Sequence, residues 1–331
     1  MRSDGAMNAS TPTFSVAIAA HNAARSLPDA IESVLAQTTP PLELIVCDDG
    51  STDETETALA RYRAHVTYLR KEHGGVASAR NAALAAATGD FFAVLDADDA
   101  YAPERLARLQ ELALARPELD ILCTDAVLER GGEVVETFGE GCPFAVDDQR
   151  AEILERCFCI APAIRRTALV AAGGFDESLR TGEDWECVIR LIHFGAAAGL
   201  VDEPLYRYRI QEGSLTAQRV STLRDRLVLL ERASVMFELS SAERAALARS
   251  IRRQRAALVL TEAEAALRNR TREARRRAFA AVRTPGVSLA ARARALAAVI
   301  APETAARALD RRALDGGASR LERSVRRPVG R

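Results

Sequence analysis

Two acidic runs, Asp48-Asp49-Gly50-Ser51-Thr52-Asp53 and Asp96-Ala97-Asp98-Asp99, each follow directly on a short apolar run, Leu42 to Cys47 and Phe91 to Leu95. Three carboxylates within four residues, as at 96–99, repel one another unless a cation or solvent compensates. Oxygen donors of this kind suit Mg2+ or Mn2+, which bind one or two carboxylates together with substrate phosphates. In the first run, a carboxylate at a strand end can accept a hydrogen bond from a nucleotide base. The same six residues also read as a strand-to-helix turn with Asp53 as the N-cap.

Two further segments carry chemistry. In Gly74-Gly75-Val76-Ala77-Ser78-Ala79-Arg80-Asn81, the glycines allow close backbone approach and a helix begins just beyond them, where an anion is favoured. Arg80 lies about one turn in, within reach of a phosphate or of a neighbouring acidic loop; the plainer reading is an ordinary turn with a salt-bridged arginine. In Gly182-Glu183-Asp184-Trp185-Glu186, a carboxylate stands beside the chain's only tryptophan. The ring offers a face to a sugar and the carboxylate can take a proton from a hydroxyl. The alternative is a capped helix start with a core tryptophan.

The elements that must position these residues follow from periodicity. Phe14 to Ala19, Leu42 to Cys47, Val66 to Leu69 and Phe91 to Leu95 read as strands. Between them, Leu27 to Gln37 (with Ser26 as N-cap), Asp53 to Arg63 and Val76 to Ala87 read as helices. That alternation predicts an α/β, mostly parallel sheet flanked by helices. Ligands in such sheets bind beyond the carboxyl ends of the strands, where both acidic runs fall. Farther on, Pro103 to Arg116 reads as a helix, Leu119 to Leu128 and Glu133 to Phe138 as paired strands, Glu183 to Phe194 as a helix and Ala198 to Val201 as a short strand.

After Thr216 the pattern becomes purely helical. Residues 1–216 hold 19 Lys+Arg against 35 Asp+Glu, whereas residues 217–331 hold 26 against 11, so a net charge of −1 conceals two units of opposite sign. We therefore expect a flexible N-terminus at 1–13, a catalytic domain at 14–216 and a basic Ala/Arg-rich helical region at 217–331. The six cysteines form no CxxC pair and several sit in apolar runs, which reads as reduced core thiols in a cytoplasmic protein. Residues 1–13 carry no signal-like apolar stretch, and no run reaches the roughly 18 apolar residues of a membrane span.

Taken together, these motifs resemble the family 2 glycosyltransferases of the GT-A fold, over roughly Phe14 to Ser214. Ser15-Val16-Ala17-Ile18 with Asn22, Ser33 to Thr38, the Asp48 to Asp53 run, Ala79-Arg80-Asn81 and Asp96 to Asp99 carry the resemblance. It implies an inverting, metal-dependent transferase that moves one sugar from a nucleotide diphosphate donor, UDP-linked foremost, to an acceptor hydroxyl in glycan or polysaccharide synthesis. Nucleotide-sugar contacts would come from Ala20, Asn22, Asp49, Gly75, Arg80 and Asp96, and Asp98 would ligate Mn2+ or Mg2+. Asp184 would be the catalytic base, with Glu183 and Trp185 contacting acceptor or sugar. His21 stands where the family often has a tyrosine. Gln211 stands where many members carry a histidine, which leaves a third protein ligand to the metal open. The processive synthases' Gln-x-x-Arg-Trp motif is absent, so single addition is expected.

The acceptor implied is a glycan or lipid-linked saccharide. The arginine-rich tail, with Leu289 to Ile300 amphipathic, could rest on an anionic membrane surface from the cytoplasmic side. It could instead pack on the acidic domain or form an oligomer contact. Nucleic acid is not expected as a partner, because aromatic residues for base stacking are scarce there. Two other readings are a sugar nucleotidyltransferase and a nucleotide-binding scaffold without turnover. The first normally has a glycine-rich loop after strand one, which Ala20 to Ser26 lacks.

Overall fold

The computed structural model of the chain describes residues 11–210 and 219–314. Residues 1–10, Gln211 and the break expected near Thr216 lie outside the described residues. The chain divides into two compact units. The first comprises Met1–Phe138, Cys159–Ser178 and Leu191–Ile210, and the second Gly139–Phe158, Leu179–Arg190 and Gln211–Arg331.

The first unit opens with β1 (Phe14–Ala20), α1 (Leu27–Leu35), β2 (Glu43–Asp49), α2 (Thr55–Leu59), β3 (Thr67–Lys71), α3 (Val76–Ala86) and β4 (Phe91–Asp96). Strands β3, β2, β1 and β4 lie side by side in parallel register. Parallel strands are covered on both faces, which explains why β1 and β4 are apolar almost without interruption. Leu27, Ile31 and Val34 of α1 are fully buried in the same core as Val16, Ile18 and Leu95. All four strands end at the carboxyl edge of the sheet, so the loops after β1, β2, β3 and β4 are brought together there.

Beyond β4 the sheet is mixed. It continues through β5 (Ala100–Tyr101), β6 (Ile121–Arg130), β7 (Glu133–Thr137), β8 (Ala163–Arg165) and β9 (Ala198–Arg209), in the order β4-β8-β6-β9-β5, with β7 on β6. Helix α4 (Arg105–Ala115) packs on this half. A single turn, α5 (Phe138–Gly141), leads out of the unit, and α7 (Arg166–Ala171) follows β8. The GT-A arrangement expected of the sheet is therefore present, parallel in its first half and mixed in its second.

Local differences have local causes. Strand β9 runs eight residues past the expected Val201, because register shifts at Thr124–Ala126 of β6 absorb Asp202, Glu203 and Leu205. Strands β5 and β8, two and three residues long, are too short to carry a period and exist through their neighbours. Ser26 does not cap α1: its backbone is helical, φ −101° and ψ −30°, and Pro28 removes the N–H a cap would meet. Asp53 lies one residue outside the cap position, and its carboxylate accepts from the N–H of Thr55 and from that of Ala24.

The second unit contains α6 (Gln149–Glu155), the first residues of α8 (Glu183–His193), and five C-terminal helices: α9 (Arg219–Met236), α10 (Ser241–Arg268), α11 (Ala274–Arg283), α12 (Leu289–Ile300) and α13 (Pro302–Leu314). Helix α10 begins with a reciprocal capping box between Ser240 and Glu243. Its arginines Arg249 and Arg253 bond to Glu155 at the end of α6, and Arg150 pairs with Glu243 at 2.6 Å. Among the described residues no helix is long and apolar enough to cross a membrane. All six cysteines are free, four of them buried.

Candidate active site

Strand β2 ends in two carboxylates with separate tasks. Asp48 is fully buried and accepts from the Ser51 N–H at 2.8 Å and the Tyr68 hydroxyl at 2.9 Å. Burial and this carboxylate push the Tyr68 hydroxyl up to about 12. Asp49 accepts from Lys71 Nζ and the Gly74 N–H on Oδ1, both at 2.9 Å, and from the Gly75 N–H on Oδ2 at 2.7 Å. His73 Nδ1 lies 2.8 Å from Oδ2. Burial alone would raise the Asp49 carboxyl, but the Lys71 and backbone donors outweigh it and hold it below the usual range. A carboxylate has about four acceptor positions, and here each has a neighbour. Asp49 thus shapes the turn at 71–75; a base N–H could be accepted only by displacing one of these donors.

Two glycines beside Asp49 are there for different reasons. Gly50 has φ +72°, and a Cβ on it would stand 2.8 Å from the His73 backbone nitrogen. Gly75 has φ 92° and ψ 170°, a region that L-residues avoid, and this aims its N–H at Asp49 at the start of α3.

The loop after β1 is tied to the same place. Ala20 is buried, the Asn22 N–H donates to Ser51 Oγ at 2.9 Å, and Asn22 Oδ1 accepts from the Thr52 N–H at 2.8 Å. His21 stacks on His73 with centroids 4.2 Å apart. The two imidazoles give an aromatic wall, with His21 at the position where the resembled family often has a tyrosine. His73 was not among the sequence candidates, although it closely follows the end of β3, where the strand-end rule directs attention. With Asp49 the two histidines are the group of three whose ligand atoms, within 4.8 Å of one another, could hold a metal ion among the described residues. The Lys71 ammonium on Asp49 opposes a cation there.

At the end of β4 the three acidic residues diverge. Asp96 is half exposed and receives Arg80 Nη2 at 2.6 Å, with the Arg80 side chain only 7% exposed. Of the two partners open to Arg80 from the sequence, it takes the acidic loop, with its guanidinium 5.6 Å from the Phe175 ring centroid. Asp98 is part-buried, and burial followed by the charge of Asp96 raises its carboxyl above the usual range. Asp99 is 1% exposed and takes the Tyr206 hydroxyl at 2.6 Å and the Arg209 N–H at 2.8 Å. Burial, then the Asp96 charge, pushes its carboxyl up to about 8. Asp96 and Asp98 are therefore the pair left to meet a ligand. Two neighbouring carboxylates fit a hard divalent cation that completes its shell with phosphate and water.

Nothing in its local motif singles out Asn81. Its amide bonds both the N–H and C=O of Phe175, at 2.8 and 2.9 Å, and Glu177 at 2.8 Å. It thereby locks the Gly173-Gly174-Phe175 loop to α3.

In the second unit, Asp184 is exposed in the first turn of α8. Its neighbours correct the expectation for an acceptor platform. Trp185 is 4% exposed and donates Nε1–H to the Ile153 carbonyl at 2.7 Å; Glu183 is 5% exposed. A ring enclosed on this scale offers no face to a sugar, and the core reading of the tryptophan holds.

Comparison with known proteins agrees with this geometry. Residues 15–167 match the profile described as Glycosyl transferase family 2. The succinoglycan biosynthesis protein ExoO of Rhizobium meliloti (strain 1021) is 31% identical over 234 residues, covering 62% of this chain and 63% of that protein. Several relatives are likewise covered over less than two thirds of their own length. S. aureus TarS 1-349 in complex with UDP-GlcNAc superposes with a TM-score of 0.60 at 18% identity, over 93% of each chain. The mannosyltransferase PcManGT from Pyrobaculum calidifontis, in complex with GDP-Man and Mn2+, gives 0.61 at 19% identity, over 95% of this chain and 83% of that one.

Proposed function

We propose that this chain, which matches the glycosyl transferase family 2 profile over residues 15–167 and has the GT-A fold, is a glycosyltransferase that transfers a single sugar, with inversion, from a UDP-sugar to an acceptor hydroxyl. The observation that carries the reading is the Arg80–Asp96 contact at the carboxyl end of β4. It holds one carboxylate of the acidic loop in place beside Asp98, and the loops after β1 and β2 converge on the same sheet edge. Solved structures of this fold with UDP-GlcNAc and with GDP-Man support a nucleotide-sugar donor. The relative named for succinoglycan biosynthesis supports a glycan acceptor, free or lipid-linked.

In this reading residues 14–216 are catalytic. Ala20 and Asn22 line the nucleotide, the His21–His73 stack meets the base, and Asp49 and Gly75 set the turn beneath it. Arg80 orients Asp96, and Asp96 and Asp98 would hold Mn2+ or Mg2+. Such an ion supplies positive charge where the departing diphosphate develops negative charge. Asp184 takes the acceptor's hydroxyl proton as that oxygen bonds to the anomeric carbon and the bond to the diphosphate oxygen breaks on the opposite face. Residues 217–331 would lie against the inner face of a membrane. Leu289, Leu296 and Ile300 of α12, all exposed and spaced 7 and 11 residues from the first, share one stripe that supports this.

The test is a thermal-shift panel with UDP, GDP and dTDP, each with and without Mn2+. Saturation at about 100-fold over Kd adds roughly 2.7 kcal/mol. A metal-dependent shift for one nucleotide upholds the reading and names the base; no shift with a folded protein favours a scaffold without turnover.

A further inference from the structure

Helices α10, α11 and α13 surround a cavity of about 480 Å³ in the second unit. Its lining includes buried Leu267 and Ala306, while its rim carries Arg270, Arg272, Arg275 and Arg307 against one carboxylate, Glu303. Among the described residues, none of these four guanidiniums is in an ion pair or a side-chain hydrogen bond. The adjoining cavity, lined from α9, α10 and α11, shows the contrast. There Arg224 pairs with Glu262 at 2.5 Å, and Arg277 pairs with Glu262 at 2.7 Å and Glu273 at 3.1 Å. The bundle supplies carboxylates to its arginines in one cavity and withholds them in the other.

Arg270 adds an independent sign. It follows the α10 C-cap Asn269 with φ +49°, the left-handed position that glycine normally fills. An arginine there strains the backbone and sets a guanidinium on the cavity rim. The wall also contains Ala274 and Pro302, the first residues of α11 and α13, where the positive end of each helix dipole favours negative charge. No aromatic residue lines the cavity, so nothing there stacks on a base.

We propose that this cavity binds a phosphate group, as a phosphomonoester or diphosphate. Planar guanidiniums bond two phosphate oxygens at once, and several together neutralise a doubly charged group. The site is separate in its residues from the donor machinery, and the inference does not depend on the transfer reading. The group can arrive on a soluble molecule or as the headgroup of a lipid.

The experiment is calorimetric titration of the full chain with inorganic phosphate and with pyrophosphate at fixed ionic strength. Two variants accompany it: Arg272→Ala/Arg307→Ala, and Glu303→Gln. Wild type is expected to bind saturably, the double variant at least about tenfold more weakly, as charge-assisted bonds are lost. Glu303→Gln should bind more tightly, a gain that misfolding cannot produce. Flotation with phosphatidylglycerol and phosphatidylcholine vesicles then separates the sources. Retention on the anionic vesicles that pyrophosphate competes away assigns a lipid headgroup, and binding of pyrophosphate without retention assigns a soluble carrier; both uphold the cavity. Equal binding by wild type and both variants, or no binding by wild type, overturns the proposal.

Discussion

Tyr206 on β9 donates its hydroxyl hydrogen to Asp99 Oδ2 at 2.6 Å, fastening the acidic loop after β4 to a strand more than a hundred residues later. Tyr206 is itself stacked 5.0 Å from the guanidinium of Arg105, a fully buried cation that also lies 4.6 Å from Tyr101 and bonds the Ala161 carbonyl at 2.6 Å. Asp99 is therefore a structural member of the loop, and its burial determines how the loop responds to pH.

A carboxyl whose folded pKa lies above its ordinary 3.8 favours the folded state when protonated. That contribution is complete below the unfolded value and is lost as pH rises through about 8. The Asp99→Asn variant removes it. Chemical denaturation of both proteins without metal, at pH 5 and pH 8.5, should show the variant gaining on wild type at the higher pH. Parallel stability curves would contradict the buried, protonated state.

Gly75→Ala should destabilise the protein by about 1–3 kcal/mol, because φ 92° with ψ 170° is closed to a residue with a Cβ. A Cβ there would meet nothing within 4 Å, so the loss reports backbone strain alone. Urea midpoints measure it, and an unchanged midpoint would mean the turn relaxes.

Asp98→Ala should abolish the Mn2+-dependent part of the nucleotide thermal shift while leaving the unliganded melting temperature near wild type, since this carboxyl is held in an unfavourable, repelled state. Arg80→Ala should reduce the same shift and also lower the unliganded stability by about 1–3 kcal/mol, because its 7%-exposed side chain is removed from packing. Equal donor shifts in all three proteins would remove the acidic loop from donor binding.

Asp184 and Trp185 are adjacent but should fail in different ways. Asp184→Asn should lower kcat about 100- to 10,000-fold with donor binding intact, the usual range for losing a general base. Trp185→Ala should cost about 3–5 kcal/mol of stability through the emptied space and the lost bond to Ile153. Turnover and melting curves on the two variants separate these outcomes. Full activity in Asp184→Asn would assign the base elsewhere.

The sequence by itself determined the βα alternation from Phe14 to Asp96, because buried parallel strands must be apolar throughout and their helices must show a 3.6-residue stripe. It also determined that Asp49, Arg80, Asp96 and Asp98 fall at strand ends or just inside a following helix, since those positions are local. Only the tertiary structure decided what each carboxylate does. Asp48, Asp49, Asp96, Asp98 and Asp99 are the same chemical group, and their difference lies in partners such as Tyr68, Lys71, Arg80 and Tyr206 that come from β3, α3 and β9. The same holds for Trp185, whose burial against Ile153 is a long-range contact that no spacing encodes. It holds for β5 and β8 as well, which are too short to show a period and are strands only because β9, β4 and β6 pair with them.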